Sequence, residues 1–318
     1  MDFNYRPGSD FQQEKVEATF KRLMLLGEQK DLAAIRKELD NVIFILSKLV
    51  DLIHDKQIRF PIWMKHSEVL FVKFALHTSS LNQLGLPVPF SLREDHTTVN
   101  AFDRSSLYVV ARAQLEAFLT FYYLILSPET NEQGEFSDMI YELSGLCNRH
   151  HMPATLNSSL EQKRKDAERI AELRQKIENH TYFTTIDGQL KQKIRGRKPP
   201  ARLFNGWEDL IKESHLKDNI FVPRWKYYSG YAHSEYISSL QLPSSFSDPV
   251  YVVSDVCQTL EIAIMTICVT IIELLNLIPV LQKEYSVLWS EDQRITIYFY
   301  SKTALKPNIQ INRQININ

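Results

Sequence analysis

Residues 256–278, from Val256 to Ile278, read VCQTLEIAIMTICVTIIELLNLI, and this stretch decides the fold class. Its uncharged run from Ile262 to Ile272 is 11 residues, about half the ~20 that a bilayer-spanning helix needs. Gln258, Glu261, Glu273 and Asn276 punctuate the rest. A helix this apolar and this interrupted reads as the centre of a helical bundle, covered on all sides by other helices.

The same 3.6-residue periodicity recurs outward from this helix. It predicts helices over Asp10–Gly27, Asp31–His54, Ile62–Leu84, Thr97–Leu126 and Glu135–His150, with shorter ones at Trp207–His215 and Pro223–Leu240. Asp31 is placed as an N-cap and Pro61 as the first turn of its helix. Ser158–Asn179 carries six basic and five acidic residues beside a thin apolar stripe of Leu160, Ile170, Leu173 and Ile177. That composition predicts a charged helical arm, solvated or packed on one side, within a section spanning 158–200. Arg294–Tyr300 (RITIYFY) alternates like a strand, and the tail NIQINRQININ is low in complexity. The expectation is an all-α multi-helix bundle with a charged helical arm and a short strand-like or irregular C-terminal extension. Its expected divisions are 1–90, 91–280 and 281–318.

Composition removes several chemistries. The chain has nine glycines in 318 residues, and the nearest two, Gly188 and Gly196, stand eight apart. GxGxxG, GxxxxGK[ST] and GxSxG motifs all need closer glycines. Lys and Arg (37) nearly cancel Asp and Glu (38), so no global attraction to nucleic acid or anionic membrane is expected. Cys147, Cys257 and Cys268 form no C-x-x-C, which fits reduced thiols in a cytoplasmic protein. The first residues do not form a secretory signal pattern. His233-Ser-Glu235 echoes half of a zinc deaminase signature, but the P-C-x-x-C half is missing. No metal, cofactor or membrane anchor is expected.

Three constellations draw attention. In the Thr97–Leu126 segment, Arg104, Tyr108, Arg112 and Glu116 recur every four residues and so share one narrow stripe of a helix. A buried Arg or Glu needs a partner, so the stripe is either an Arg112–Glu116 pair that fixes register or the wall of a polar pocket. The second is WKYYSGYAHSEY, Trp225 to Tyr236, where Tyr228, Ser229 and His233 stand together. His233 is there either a hydrogen-bonded core residue or an acid/base and ligand group in an aromatic setting. Third, Ser254, Gln258 and Glu261 form a polar stripe on the long C-terminal helix, and facing helices of a bundle could close all three sets around one pocket. Two R-x₄₋₆-H matches, Arg59…His66 and Arg174…His180, occur at the rate chance gives. Lys191–Arg202 holds six basic residues and no acidic one. It reads as a linker or mobile loop, or as a phosphate grip through Lys193, Arg195, Arg197 and Lys198.

RSSLYVVARAQLEAFLTFYYLI followed by YYSGYAHSEY and a long apolar helix resembles a family of uncharacterised bacterial helical proteins. That family pairs an A-R-x-x-x-E central helix with a Tyr/Ser segment ending in His. The resemblance covers about Thr97 to Leu277 and carries over Arg112, Glu116, Ser229 and His233. It implies a shared polar site and a defence- or stress-associated role, without naming a reaction. The functional expectation is a site with Arg112, Glu116 and His233 as its chemical groups and Tyr108, Tyr228, Ser229 and Glu261 lining it. Its ligand would be a nucleotide or RNA end. The alternative is a non-enzymatic interaction module that works through the charged arm and the C-terminal tail, the tail pairing with a second copy.

Overall fold

The computed structural model describes residues 11–91, 98–233, 235–241, 243 and 249–307. The chain is all-α apart from one short hairpin, and its helices follow from local signals that can be named. Helix α1 (Gln13–Gln29) ends at Lys30, whose backbone is left-handed (φ 54°). Asp31 caps α2 (Leu32–Asp55) by accepting the Ala34 N–H, and Ile35, Leu39, Val42, Leu46 and Leu49 form its buried face. Pro61 opens only a 3₁₀ turn (Ile62–Met64), and α3 (Ser67–Leu84) starts after it. Strands β1 (Val88–Ser91) and β2 (Thr98–Ala101) pair antiparallel, Val88 opposite Ala101. Strand β2 occupies the expected start of the next helix, which in fact begins after Asp103 accepts the Ser106 N–H.

Helix α4 (Arg104–Phe121) passes into a π-turn (Tyr122–Leu126), then α5 (Asn131–His151) and α6 (Asn157–Asn179). Short helices α7 (Thr181–Thr185), α8 (Gly188–Arg195) and α9 (Trp207–Glu213) follow. Helices α10 (Asp218–Ala232), α11 (Tyr236–Gln241), α12 (Pro249–Leu277), α13 (Val280–Leu288) and α14 (Glu291–Ala304) complete the described chain.

The chain divides into two compact units, residues 1–58, 68–121 and 211–311 in one and 59–67, 122–210 and 312–318 in the other. In the first, α12 lies at the centre as its composition predicts, packed by α2, α14 and α4. The stretches Arg104–Leu126 and Val250–Leu277 are both long and apolar enough to cross a membrane, and both are mostly buried inside the fold.

The second unit is built on α5 and α6. Phe136, Ile140, Leu143, Leu173 and Ile177 form its core with Phe183 and Ile194. The charged helix α6 packs on one side, as its thin stripe predicts, with Leu173 and Ile177 inward and Asp166 paired to Arg149 of α5 at 2.6 Å.

Two local expectations are overturned. Arg294–Tyr300 is helical, not strand-like. Ser290 and Gln293 form a reciprocal capping box, and Ile295, Thr296, Tyr300, Ser301 and Ala304 are buried at three- and four-residue steps. Here cap and packing outweigh the β-propensity of Ile, Thr, Tyr and Phe. The residues NIQINRQININ lie outside the described residues. The basic segment is not a mobile loop over its first half. Asp187 caps α8 at its start, and the Arg174 guanidinium donates to the carbonyls of Arg195 and Gly196 (2.8 Å each), closing the other end.

Candidate functional site

The four-residue spacing on α4 does put Arg104, Tyr108, Arg112 and Glu116 on one stripe, and α10 and α12 pack against that helix. The stripe serves two separate clusters, because Arg104 and Arg112 stand ~12 Å apart by helical rise.

At its N-terminal end, Arg104 Nη2 lies 2.7 Å from the Asp255 carboxylate of α12. Both residues are almost sealed from solvent, at 3% and 8% exposure. Arg104 Nε donates to the Tyr108 hydroxyl (3.1 Å), which in turn donates to Asp255. Rings close the set. Tyr108 stacks on Tyr228 (5.5 Å between centroids) and meets Tyr227 and Tyr231 edge-on, while Tyr251 lies over the Arg104 guanidinium at 5.2 Å. Burial pushes the Asp255 carboxyl up against the opposing pull of Arg104, and it pushes the Tyr228 phenol up to about 12. Tyr108 and Tyr228 are fully buried in this set, so they are packing residues of a core network.

The second cluster is open to solvent. Arg112 Nε donates to Glu116 Oε1 (2.8 Å), and the same oxygen accepts the Trp225 indole N–H (3.1 Å). The guanidinium sits 5.6 Å from the Trp225 ring centroid. Arg112 Nη1 is 3.1 Å from His233 Nε2. The Arg112 and Glu116 side chains are 18% and 22% exposed, and His233 is exposed. His233 forms the C-cap of α10, its backbone N–H reaching the Ser229 and Tyr231 carbonyls. The Ser229 hydroxyl donates to the Trp225 carbonyl (2.8 Å), so it is turned to the backbone and not to the imidazole. Arg112, Glu116 and His233 therefore meet, with Trp225 as a fourth member that the sequence displayed but spacing alone did not assign.

Glu261 belongs elsewhere. It faces Lys30 (3.9 Å), burial raises its carboxyl, and Gly27 leaves the room it occupies: a Cβ there would stand 2.9 Å from its Oε1. Gln258 accepts from Arg224 at 2.5 Å. The Ser254–Gln258–Glu261 stripe thus does not face Arg112, and the residue of α12 that meets α4 is Asp255. A signal for it existed: a buried Arg in one apolar helix calls for an acid in another. Glu273, noted only as an interruption of the apolar run, lies 2.5 Å from His215.

In the second unit the basic residues part company. Arg195 pairs with Glu178 (2.8 Å) and lies over Phe183, and Arg197 donates to His151 Nε2 (2.5 Å). Lys193 and Lys198 are exposed. Arg174 is engaged in capping α8, and His180 accepts the Tyr182 N–H as an N-cap, so that Arg-His match is structural. Among the described residues no group of three His, Cys, Asp or Glu could hold a metal ion.

No family model, curated protein or solved structure matches the chain.

Proposed function

We propose that Arg112, Glu116, Trp225 and His233 form a binding site for a polar, anionic ligand, a nucleotide or RNA end. In this reading the chain is a cytoplasmic bacterial protein of a defence- or stress-associated kind, like the helical family it resembles. The observation that carries the binding site is the donor count of Arg112. A guanidinium has five N–H groups, and among the described residues two of these find protein partners, although the side chain is mostly covered. Arg174, which closes the end of α8, bonds three backbone carbonyls through its guanidinium. The remaining three N–H groups of Arg112 suit a phosphate, which takes a guanidinium in a fork. Trp225 offers a ring beside it, and His233 is the one exposed group there able to hold or move a proton near neutral pH. Were the ligand cleaved, His233 would act as acid or base at a phosphodiester and Arg112 would stabilise the anionic charge. Within the second unit by itself, the exposed Lys193 and Lys198 keep the phosphate-contact role proposed for the basic segment.

Equilibrium binding of AMP and of a 5′-phosphorylated tetranucleotide tests this reading. Arg112→Gln is expected to weaken binding at least tenfold while leaving the fold intact. Equal binding by wild type and Arg112→Gln would reject it.

A second reading, an interaction module, draws on a different observation. Val69, Val72 and Leu76 lie exposed at helical spacing on α3, and Phe20, Met24 and Leu25 line a shallow groove on α1. Its C-terminal part is narrowed, because α14 is core. Light scattering on Val72→Glu/Leu76→Glu tests it, an unchanged assembly state counting against it.

A further inference from the structure

We infer that Arg112 and His233 form a proton-gated clamp for a tetrahedral oxyanion, a terminal phosphate or sulfate, which His233 admits only by taking up a proton. This rests on the binding reading above and adds the chemistry of the ligand group and its control.

The 3.1 Å bond between Arg112 Nη1 and His233 Nε2 fixes a protonation state. A guanidinium offers donors only and keeps its proton, so Nε2 must be the acceptor. The imidazole is then neutral, with its proton on Nδ1. In that state the charges of Arg112 and Glu116 cancel across their 2.8 Å contact, and the cluster has no net attraction for an anion. Protonation of His233 changes both facts. Nε2 becomes a donor, the bond to Arg112 is lost, and two cations face one another. An oxyanion placed between them accepts from the Nε2–H and from the Arg112 N–H groups that no described residue uses, and it relieves the repulsion.

His233 is exposed and stands at the carbonyl end of α10, within reach of an anion from solvent. Among the described residues, the charged groups about it are Arg112 and Glu116 from α4 and Glu235, two positions on in sequence. Helix α11 contributes no charged residue, and the nearest charges on α10 are Lys226 and Arg224. Glu116 is held by two donors, Arg112 and Trp225, and so keeps Arg112 in place.

Sulfate is the probe of choice, because its charge is constant from pH 5.5 to 8. Isothermal titration of sulfate into the whole protein should give an affinity that is flat at low pH. Once the imidazole is neutral, the affinity should weaken by about tenfold per pH unit. Titrations in buffers of different ionisation enthalpy should show about one proton taken up per anion on that sloping limb. His233→Gln, whose fold is checked by its melting temperature, should bind weakly and without pH dependence. A pH-independent affinity in the wild type, or the wild-type slope in His233→Gln, overturns the clamp. Binding of AMP without any binding of sulfate also overturns it while leaving the binding reading standing. Failure of both ligands at every pH removes both.

Discussion

The Arg104 guanidinium and the Asp255 carboxylate meet at 2.7 Å inside the first unit, joining α4 to α12 with the Tyr108 hydroxyl bridging them. Taking these charges out of water is costly, and the pair is tolerated because its hydrogen bonds are completed by Tyr108 and by rings that keep water away. Asp255→Ala would leave a buried, uncompensated guanidinium and is expected to cost about 3–5 kcal/mol in urea unfolding. The double variant Arg104→Met/Asp255→Leu should recover most of that loss. If the single variant cost under 1 kcal/mol, the network would not be the structural tie described here.

Gly134 on α5 faces the Trp63 indole so closely that a Cβ would stand 2.4 Å from its ring. Trp63 is 2% exposed and its N–H donates to Asn131 Oδ1 at 3.2 Å, so the ring has no easy way to move. Gly134→Ala should therefore destabilise the second unit by about 1–3 kcal/mol through overpacking, although alanine is the better helix former. Tryptophan emission shifted to the red in the variant would report the displaced ring. Wild-type stability would show that this approach is not tight.

The second unit should also respond to acid. Glu142 is held down to about 2, chiefly by its hydrogen bond from Arg169 and further by Lys65. Its folded value lies below its ordinary one, so its contribution is complete above pH ~4.5 and is lost as pH falls toward 2. Asp138, which burial pushes up, slopes the other way and is common to both proteins compared. Glu142→Gln should thus lose stability at pH 6 and show a shallower decline between pH 4.5 and 2. Identical slopes would argue against the Arg169 and Lys65 pairing.

Ser290 begins α14 with a reciprocal cap to Gln293. Ser290→Ala should cost about 1 kcal/mol. Deleting α14 should unfold the first unit, since Ile295, Ile297 and Tyr300 are core residues. A folded deletion product would return the C-terminal segment to the status of an appendage.

How much was legible in advance differs between fold and site. The central helix α12 was readable because Gln258, Glu261, Glu273 and Asn276 interrupt an otherwise apolar stretch, and Asp31 announced α2 as a cap. The segment from Arg294 to Tyr300 misled because alternation over seven residues imitates a strand. The deciding signal lay just ahead of it, in the S-x-x-Q of Ser290–Gln293. Within the site, a spacing of four residues sufficed to align Arg104, Tyr108, Arg112 and Glu116. Their division between a sealed network and an open cluster was not readable, because it depends on which residues α10 and α12 bring opposite. Asp255 and Trp225 are those residues, and pairing across helices leaves no trace in periodicity. Glu261 was placed with Arg112 because both are polar exceptions in apolar helices, yet its partner Lys30 sits at the end of α1.

The central claim is that His233 is held for a ligand and not for stability, and a thermal melt of wild type and His233→Ala with and without AMP at pH 6 tests it most directly. His233 is exposed, so without ligand the two should melt alike, within the ~0.5 kcal/mol typical of surface changes. AMP should raise the wild-type transition and leave that of His233→Ala unmoved. A destabilised His233→Ala, with neither protein responding to AMP, would make the Arg112–His233 contact a packing device and contradict the account.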